Sequence, residues 1–326
     1  MIGRRDALRA GLGATAGAVL AGQAAPARAS AWPQRQVRIV VPFAAGGSSD
    51  ICARIIGARM QGATGQTFVV ENLPGGNGVV GTMAVNQAPA DGHTLLLGAT
   101  TTFSANPHTM KNPGYDAERD FALVGVFGIT AGYLMVPAEA PWRSVQELIA
   151  DIRARPGRLN SGWFNGSSRI PAALLKRVAS LDFEEVAYRV IGNAITDLQN
   201  GQIQFVFIDM VAADAHLASG RFRALAVTSA GRSPRFPDMP AMTELYEGFE
   251  LGGYLGMGVR SATPIPVQQA INRQVVAAVQ SPEIAARLRE MSLEPVAMDL
   301  EACAAYGRAE RIKWGGIIRR AGIEPE

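Results

Sequence analysis

Cysteine and histidine are scarce in this chain of 326 residues: Cys52 and Cys303, and His93, His108 and His216, are all there are. Two cysteines exclude a Cys-rich zinc site and a dense disulfide framework. Neither has a CxxC neighbour, and both suit helices as small buried hydrophobes; the sequence leaves open whether they meet. The histidines lack metal-ligand spacing, and no Gly-x-Ser-x-Gly elbow and no Gly-Lys-Ser/Thr of a Walker loop occurs. Beyond the N-terminus no stretch of about 18 apolar residues is present, which argues against a membrane span, and no cysteine is placed for a lipid anchor. An enzyme reading would rest on Asp50, Asp209 or His93 as acid or base, and no nucleophile–base pair accompanies them. No metal and no cofactor is expected.

What is present begins with an export signal. Arg4, Arg5 and Arg9 form a basic start, an Ala- and Gly-rich stretch follows over 10–25, and Ala27-Arg28-Ala29 is a small-x-small cleavage site. Arg4-Arg5 followed by Asp6, Ala7, Leu8 and Arg9 is similar to a twin-arginine signal, and the weakly apolar stretch and Arg28 beside the cut agree with it; an ordinary secretory signal is the alternative. Residues 1–29 are therefore set apart from the fold, and a periplasmic protein cut near Ala29 is expected. Their removal takes away four arginines and one aspartate, so the formal charge falls from +3 to 0. With no Lys/Arg run either, nucleic acid is not an expected partner.

With 48% hydrophobic and 18% charged residues, the remainder has enough apolar material for two domains of ordinary size. From Gln36 onward, short β-branched runs at 37–42, 67–71 and 94–97 alternate with helical segments at 49–60 and 78–87. Ile51, Ile55, Ile56 and Met60 fall on one stripe of the first helix. A second series follows Pro141, with helices at 144–153, 168–178 and 193–200 and strands at 159–163, 183–188, 204–209 and 224–228. A Pro-rich turn at 235–240 and an extended segment at 252–259 lead to helices at 266–279, 282–291 and 300–321. This βαβ rhythm, twice repeated, predicts an α/β fold with mostly parallel sheets and is compatible with two lobes crossed twice by the chain. The predicted lobes are 30–134 with 255–326, and 135–254, hinged near 132–137 and 252–256. Ligands of such folds lie in the crevice outside the strand ends.

Three glycine-rich turns carry the chemistry. Residues 41–50, ending Phe43-Ala44-Ala45-Gly46-Gly47-Ser48-Ser49-Asp50, run from a strand into a helix, where close backbone approach and free N–H groups suit a carboxylate or a phosphate. The plainer reading is that Ser48 or Ser49 caps the helix and Asp50 complements its dipole. Asn165-Gly166-Ser167-Ser168-Arg169 repeats the pattern in the second series, with Pro171 in the first helical turn. The third, Gly76-Asn77-Gly78-Val79-Val80-Gly81, matches G-x-G-x-x-G, but it is the second βα turn, and Asp91 precedes the next strand instead of ending it, so a dinucleotide site is disfavoured.

At these residues the sequence resembles the Bug (Bordetella uptake gene) family, substrate-binding proteins of tripartite tricarboxylate transporters. The likeness is carried by the segments 40–50, 70–78 and 90–96, by Leu225-Ala226-Val227-Thr228-Ser229 with Arg232-Ser233-Pro234, by Pro237-Asp238-Met239-Pro240 and by Trp314-Gly315. The resemblance implies a periplasmic Venus-flytrap binding protein of the type II-like kind, likewise two-lobed, with mixed sheets flanked by helices. It would be no enzyme, but a monomer that closes on a small di-, tri- or aromatic carboxylate and delivers it to the membrane permease subunits. An orphan receptor feeding a periplasmic sensor is the alternative. The ligand contacts it implies are Phe43, Ala44, Gly46, Gly47, Ser48, Ser49 and Asp50 with Thr101 in the first lobe. In the second they are Asn165, Gly166, Ser167, Ser168 and Asp209. Three departures stand out: Arg169 replaces a usual His, Val190-Ile191-Gly192 replaces a Gly-rich turn, and Trp163-Phe164 replace small residues. Trp163 and Phe164 are expected to wall the pocket and favour a ring-bearing carboxylate, with Arg169 as an added cationic contact; packing against the lobe is the alternative.

Overall fold

The computed structural model describes residues 32–233 and 236–325; the export signal, its cut site and part of the 235–240 turn lie outside them. The chain first lays down β1 (Val37–Val41), α1 (Ser48–Thr64), β2 (Phe68–Asn72), α2 (Val79–Asn86), β3 (Thr94–Ala99), α3 (Asn106–Thr109) and β4 (Phe121–Thr130). It then builds β5 (Gly132–Pro137), α4 (Val145–Ala154), β6 (Asn160–Trp163), α5 (Gly166–Val178), β7 (Glu184–Ala187), α6 (Ile191–Gln199), β8 (Phe205–Asp209), α7 (Met210–Ala218) and β9 (Phe222–Val227). It closes with β10 (Gly253–Arg260), α8 (Ile265–Val279), α9 (Pro282–Glu290), β11 (Glu294–Pro295) and α10 (Leu300–Ala321).

Two mixed sheets result, ordered β11-β4-β10-β3-β1-β2 and β7-β6-β8-β5-β9. In the first, β2, β1 and β3 are parallel neighbours; in the second, β7, β6 and β8 are. The remaining strands pair antiparallel. Parallel neighbours need helical crossovers that cover both sheet faces, and the central strands are accordingly apolar on both sides. In β8, Phe205 and Phe207 enter one core while Val206 and Ile208 enter another; in β5, Leu134 and Val136 alternate in the same way with Tyr133 and Met135. In β1, Ile39 packs with Ile56, Met60 and Leu95, while Val40 packs on the opposite face with Leu96 and Phe103.

The long strand β4 and its partner β10 are not evident from the sequence as a pair, because glycines interrupt their apolar runs. The glycines answer to crowding. A Cβ on Gly125 would lie 2.6 Å from Val275 Cγ1, and one on Gly256 2.3 Å from the Gly125 carbonyl oxygen, beside the register shifts of this pair. α1 runs from Ser48 to Thr64, longer than the predicted 49–60, and ends at Gly65 in the left-handed conformation (φ 70°). Cys52 and Cys303 are buried in cores on opposite faces of the first sheet, so they do not pair, and burial pushes both thiols up to about 12.

The chain passes between the sheets at Ala131 and again between Leu251 and Gly253, and α10 adds a third link. Cys303, near its start, packs in the first sheet's core, whereas Trp314, Ile317 and Ile318 pack with Leu174 and Phe249 in the second's. Thr228 ties the crossings together. Its Oγ1 accepts the Gly132 N–H (2.8 Å) and donates to the Leu251 carbonyl (3.2 Å), while its own backbone bonds Gly132 and Leu251 at 2.8 Å each. Thr228→Val keeps the shape and leaves the Gly132 N–H without this partner, so urea unfolding is expected to show a loss of about 1–3 kcal/mol.

Candidate functional site

All six parallel strands end toward a single cleft of about 860 Å³. From the first sheet it receives the β1–α1 loop, the Pro74–Gly78 turn after β2, and Thr100 and Thr101 after β3; from the second, the starts of α5, α6 and α7; and from α10, Trp314. Of the expected contacts, Phe43, Ala44, Gly46, Gly47, Ser48, Ser49, Thr101, Phe164, Asn165, Ser167 and Asp209 line it.

Asp50, Trp163, Gly166 and Ser168 do not. Asp50 is buried and folds back on its own loop: its carboxylate accepts the Gly46 N–H at 2.9 Å and pairs with Arg54 at 2.9 Å. Burial alone would push its carboxyl up, but Arg54, the Gly46 N–H and Asn72 hold it below the ordinary range. It is thus an ionised brace that holds Gly46 at φ +81°. Ser168 spends its hydroxyl on the N–H groups of Phe164 (2.9 Å) and Asn165 (3.1 Å), closing a capping box with Asn165 Oδ1, which accepts the Ser168 N–H at 3.0 Å. Gly166 instead meets the loop of the other sheet: a Cβ there would lie 3.9 Å from Asn77 Nδ2.

Successive side chains of an extended segment point to opposite sides, so Phe164 faces the cleft and Trp163 does not. The Trp163 ring stacks under Arg169, whose guanidinium carbon is 4.9 Å from its centroid. Trp163 and Arg169 thus pack on each other outside the cleft lining, and the wall is made by Phe164 with Phe43, Phe207, Val211 and Trp314. Trp163→Ala is expected to lower the melting temperature while leaving the ranking of aromatic over aliphatic carboxylates unchanged in a binding assay.

The glycines of 76–81 serve packing. A Cβ on Gly81 would fall 2.7 Å from Pro42 Cα and one on Gly78 2.8 Å from Thr102 Cγ2, so this loop must be bare to lie against the β1–α1 turn. That requirement replaces any dinucleotide role.

The helix starts differ in a way sequence spacing did not reveal. α5 is capped by Asn165, and α7 by Asp209, whose Oδ1 accepts the Ala212 N–H at 3.0 Å. α1 has Gly47 at its N-cap and α6 has Val190, and neither receives a side-chain cap. Their first-turn N–H groups are left for water or a ligand. Burial raises the Asp209 carboxyl, with Asp214 adding to the effect, and lowers His216, a second cleft residue, through desolvation and the nearby Arg221. Arg189, Val190 and Ile191 also line the cleft. Applying the strand-end rule to β7 as well as to β6 and β8 would have found them.

A further cavity of about 540 Å³ shares Thr130 and Ala131 with the cleft, but its charged residues are paired: Lys313 with Glu310 (2.6 Å) and Glu250 (3.5 Å), Arg289 with Glu294 (3.6 Å), and Arg232 with Glu244 (2.8 Å) outside the lining. Among the described residues no His, Cys, Asp and Glu cluster could hold a metal.

Folded, Asp209 keeps its proton above the pH at which it ionises unfolded, so its contribution to stability falls as pH rises through that window. Asp209→Asn retains a capping oxygen and is expected to flatten that part of the stability profile, read by urea unfolding across the acidic range.

The profile of the family described as "Tripartite tricarboxylate transporter family receptor" matches residues 52–323. Protein BugT of Bordetella pertussis is 30% identical over 93% of this chain and 94% of its own. Among solved structures, R. palustris Rpa4515 with adipate is similar at 31% identity and a TM-score of 0.85, covering 90% of this chain and 100% of that one. The periplasmic binding protein BugD is similar at 29% identity and 0.82, with 90% and 100% covered. The fold is thus that of the two-lobed periplasmic binding proteins.

Proposed function

Since the chain belongs to the tripartite tricarboxylate transporter receptor family, the Bug proteins, we propose that it captures a small organic carboxylate between its two sheets and hands it to the membrane subunits of such a transporter. The family consists of solute receptors, and no step of bond making is assigned to this chain. The observation that carries the carboxylate reading is the open N-terminus of α1, with Gly46, Gly47, Ser48 and Ser49 at the cleft wall and Asp50 turned away to hold the loop. Backbone N–H groups and the helix dipole favour an anion there, in a space whose other walls are largely aromatic and aliphatic. The adipate bound by Rpa4515 supports the same chemistry.

In this reading residues 1–29 are a twin-arginine-type leader cut near Ala29, and the protein acts in the periplasm as a monomer. The expected lobes, 30–134 with 255–326 and 135–254, are shifted by a few residues, since β5 from Gly132 lies in the second sheet and β10 from Gly253 in the first, and the last turns of α10 pack on the second. The ligand-contacting set is Phe43, Ala44, Gly46, Gly47, Ser48, Ser49, Thr101, Phe164, Asn165, Ser167 and Asp209.

A ligand that binds only the folded state raises stability by about 2.7 kcal/mol at a hundred times its Kd. Thermal shift of the protein from Ser30 onward, against mono-, di- and tricarboxylates, aromatic carboxylates and amino acids, is expected to give a selective rise with one carboxylate class. A rise with a nucleotide or neutral solute and none with any carboxylate would overturn the reading.

A further inference from the structure

Among the described residues that line the cleft, Arg189 is the one permanent cation. It is exposed and follows β7, directly before the uncapped start of α6. Two other arginines of the second series are engaged: Arg169 lies over Trp163, and Arg221 bonds Gln199 and Ser219. Arg189 forms no ion pair within the described structure. The acids that border this region have other partners: Asp197 accepts from Tyr188 Oη at 2.9 Å, and Asp209 caps α7. The electrostatic neighbours of Glu185 are Lys176, Arg169 and Glu184.

The next residues are apolar. Val190, 55% exposed, occupies the N-cap with a side chain that has no oxygen to offer, and Ile191 beside it also faces the cleft. A guanidinium, an unfilled helix N-terminus and two uncovered aliphatic side chains therefore adjoin on the second sheet's side of the cavity. α5 and α7, which follow the neighbouring strands β6 and β8, carry side-chain caps of their own.

We propose that Arg189 is a specificity-determining residue that reads a second negative charge on the ligand. This rests on the carboxylate-binding reading above and extends it. One carboxylate sits on the α1 loop, the hydrocarbon body lies against Phe164, Val190 and Ile191, and the second anionic group meets the Arg189 fork and the first N–H groups of α6. The guanidinium presents paired donors that match a carboxylate, and a neutral ligand end would leave them to water. Because Arg189 is exposed, the preference weakens as salt is added.

The test is calorimetric titration of the purified protein with matched pairs: succinate and butyrate, adipate and hexanoate, suberate and octanoate, terephthalate and 4-methylbenzoate. Wild type is expected to bind one dicarboxylate at least tenfold more tightly than its partner. Arg189→Met should remove about tenfold or more of that affinity and leave the monocarboxylate within twofold, whereas Arg189→Lys should retain part of the preference. Equal binding of both partners by wild type, or an equal loss for both in Arg189→Met, would overturn the role of Arg189 and leave the carboxylate reading standing. Silence of all eight compounds would overturn the role of Arg189, and the wider carboxylate screen above then decides the carboxylate reading by itself.

Discussion

The constraint on which this molecule depends is the handedness of connection between parallel strands. Each sheet contains three adjacent parallel strands, β2-β1-β3 and β7-β6-β8, and each such strand must be followed by a crossover before its neighbour can be laid down. The crossovers begin where the strands end, so helix N-termini collect along one edge of each sheet. The cleft is bounded by those two edges. Its preference for anions comes from the backbone before any side chain is considered.

Side chains then decide which of those termini remain open. Asn165 and Asp209 close α5 and α7 with their own oxygens; Gly47 and Val190 leave α1 and α6 unfilled. The same logic governs charge. Asp50, though acidic and next to the cleft, is ionised against Arg54 and faces its own loop, whereas Asp209 is held toward its neutral form by burial. With His216 lowered as well, the wall has little permanent charge apart from Arg189. The cavity is therefore shaped by apolar surface and oriented by a few donors, the pattern of a site that binds and releases without chemistry.

Much of this was legible in the sequence. The two βα series, the glycine turn at 44–47 and the second at 165–168 are written in local signals, and the structure brings both turns to one cleft. What escaped were features set by tertiary neighbours. β4 looks broken because Gly125 and Gly128 yield to Val275 and the Glu294 carbonyl. Trp163 looks like a pocket wall until the strand's alternation turns it toward Arg169. Trp314 is more than 200 residues from the other cleft residues of the first loop and enters only because α10 spans both cores. Asp50 could have been separated from the ligand set by its spacing, since a carboxylate four residues before Arg54 on a helix already has a partner.

The crossing segments limit how the two sheets can respond to a ligand. Thr228 bonds to both Gly132 and Leu251, so the two strands that pass between the sheets are joined side by side and cannot separate without breaking those bonds. Any relative movement of the sheets has to keep this pair joined, and α10, packed in both cores, ties them as well. Across the cleft the Asn77 loop and the start of α5 approach each other at Gly166. A ligand held by only one sheet has equal affinity for near and distant arrangements of these loops and shifts nothing, however tightly it binds. A ligand that reaches donors on both sheets favours the near arrangement by the full interaction with the second. In this fold the groups that select the ligand and the groups that report its capture are consequently the same.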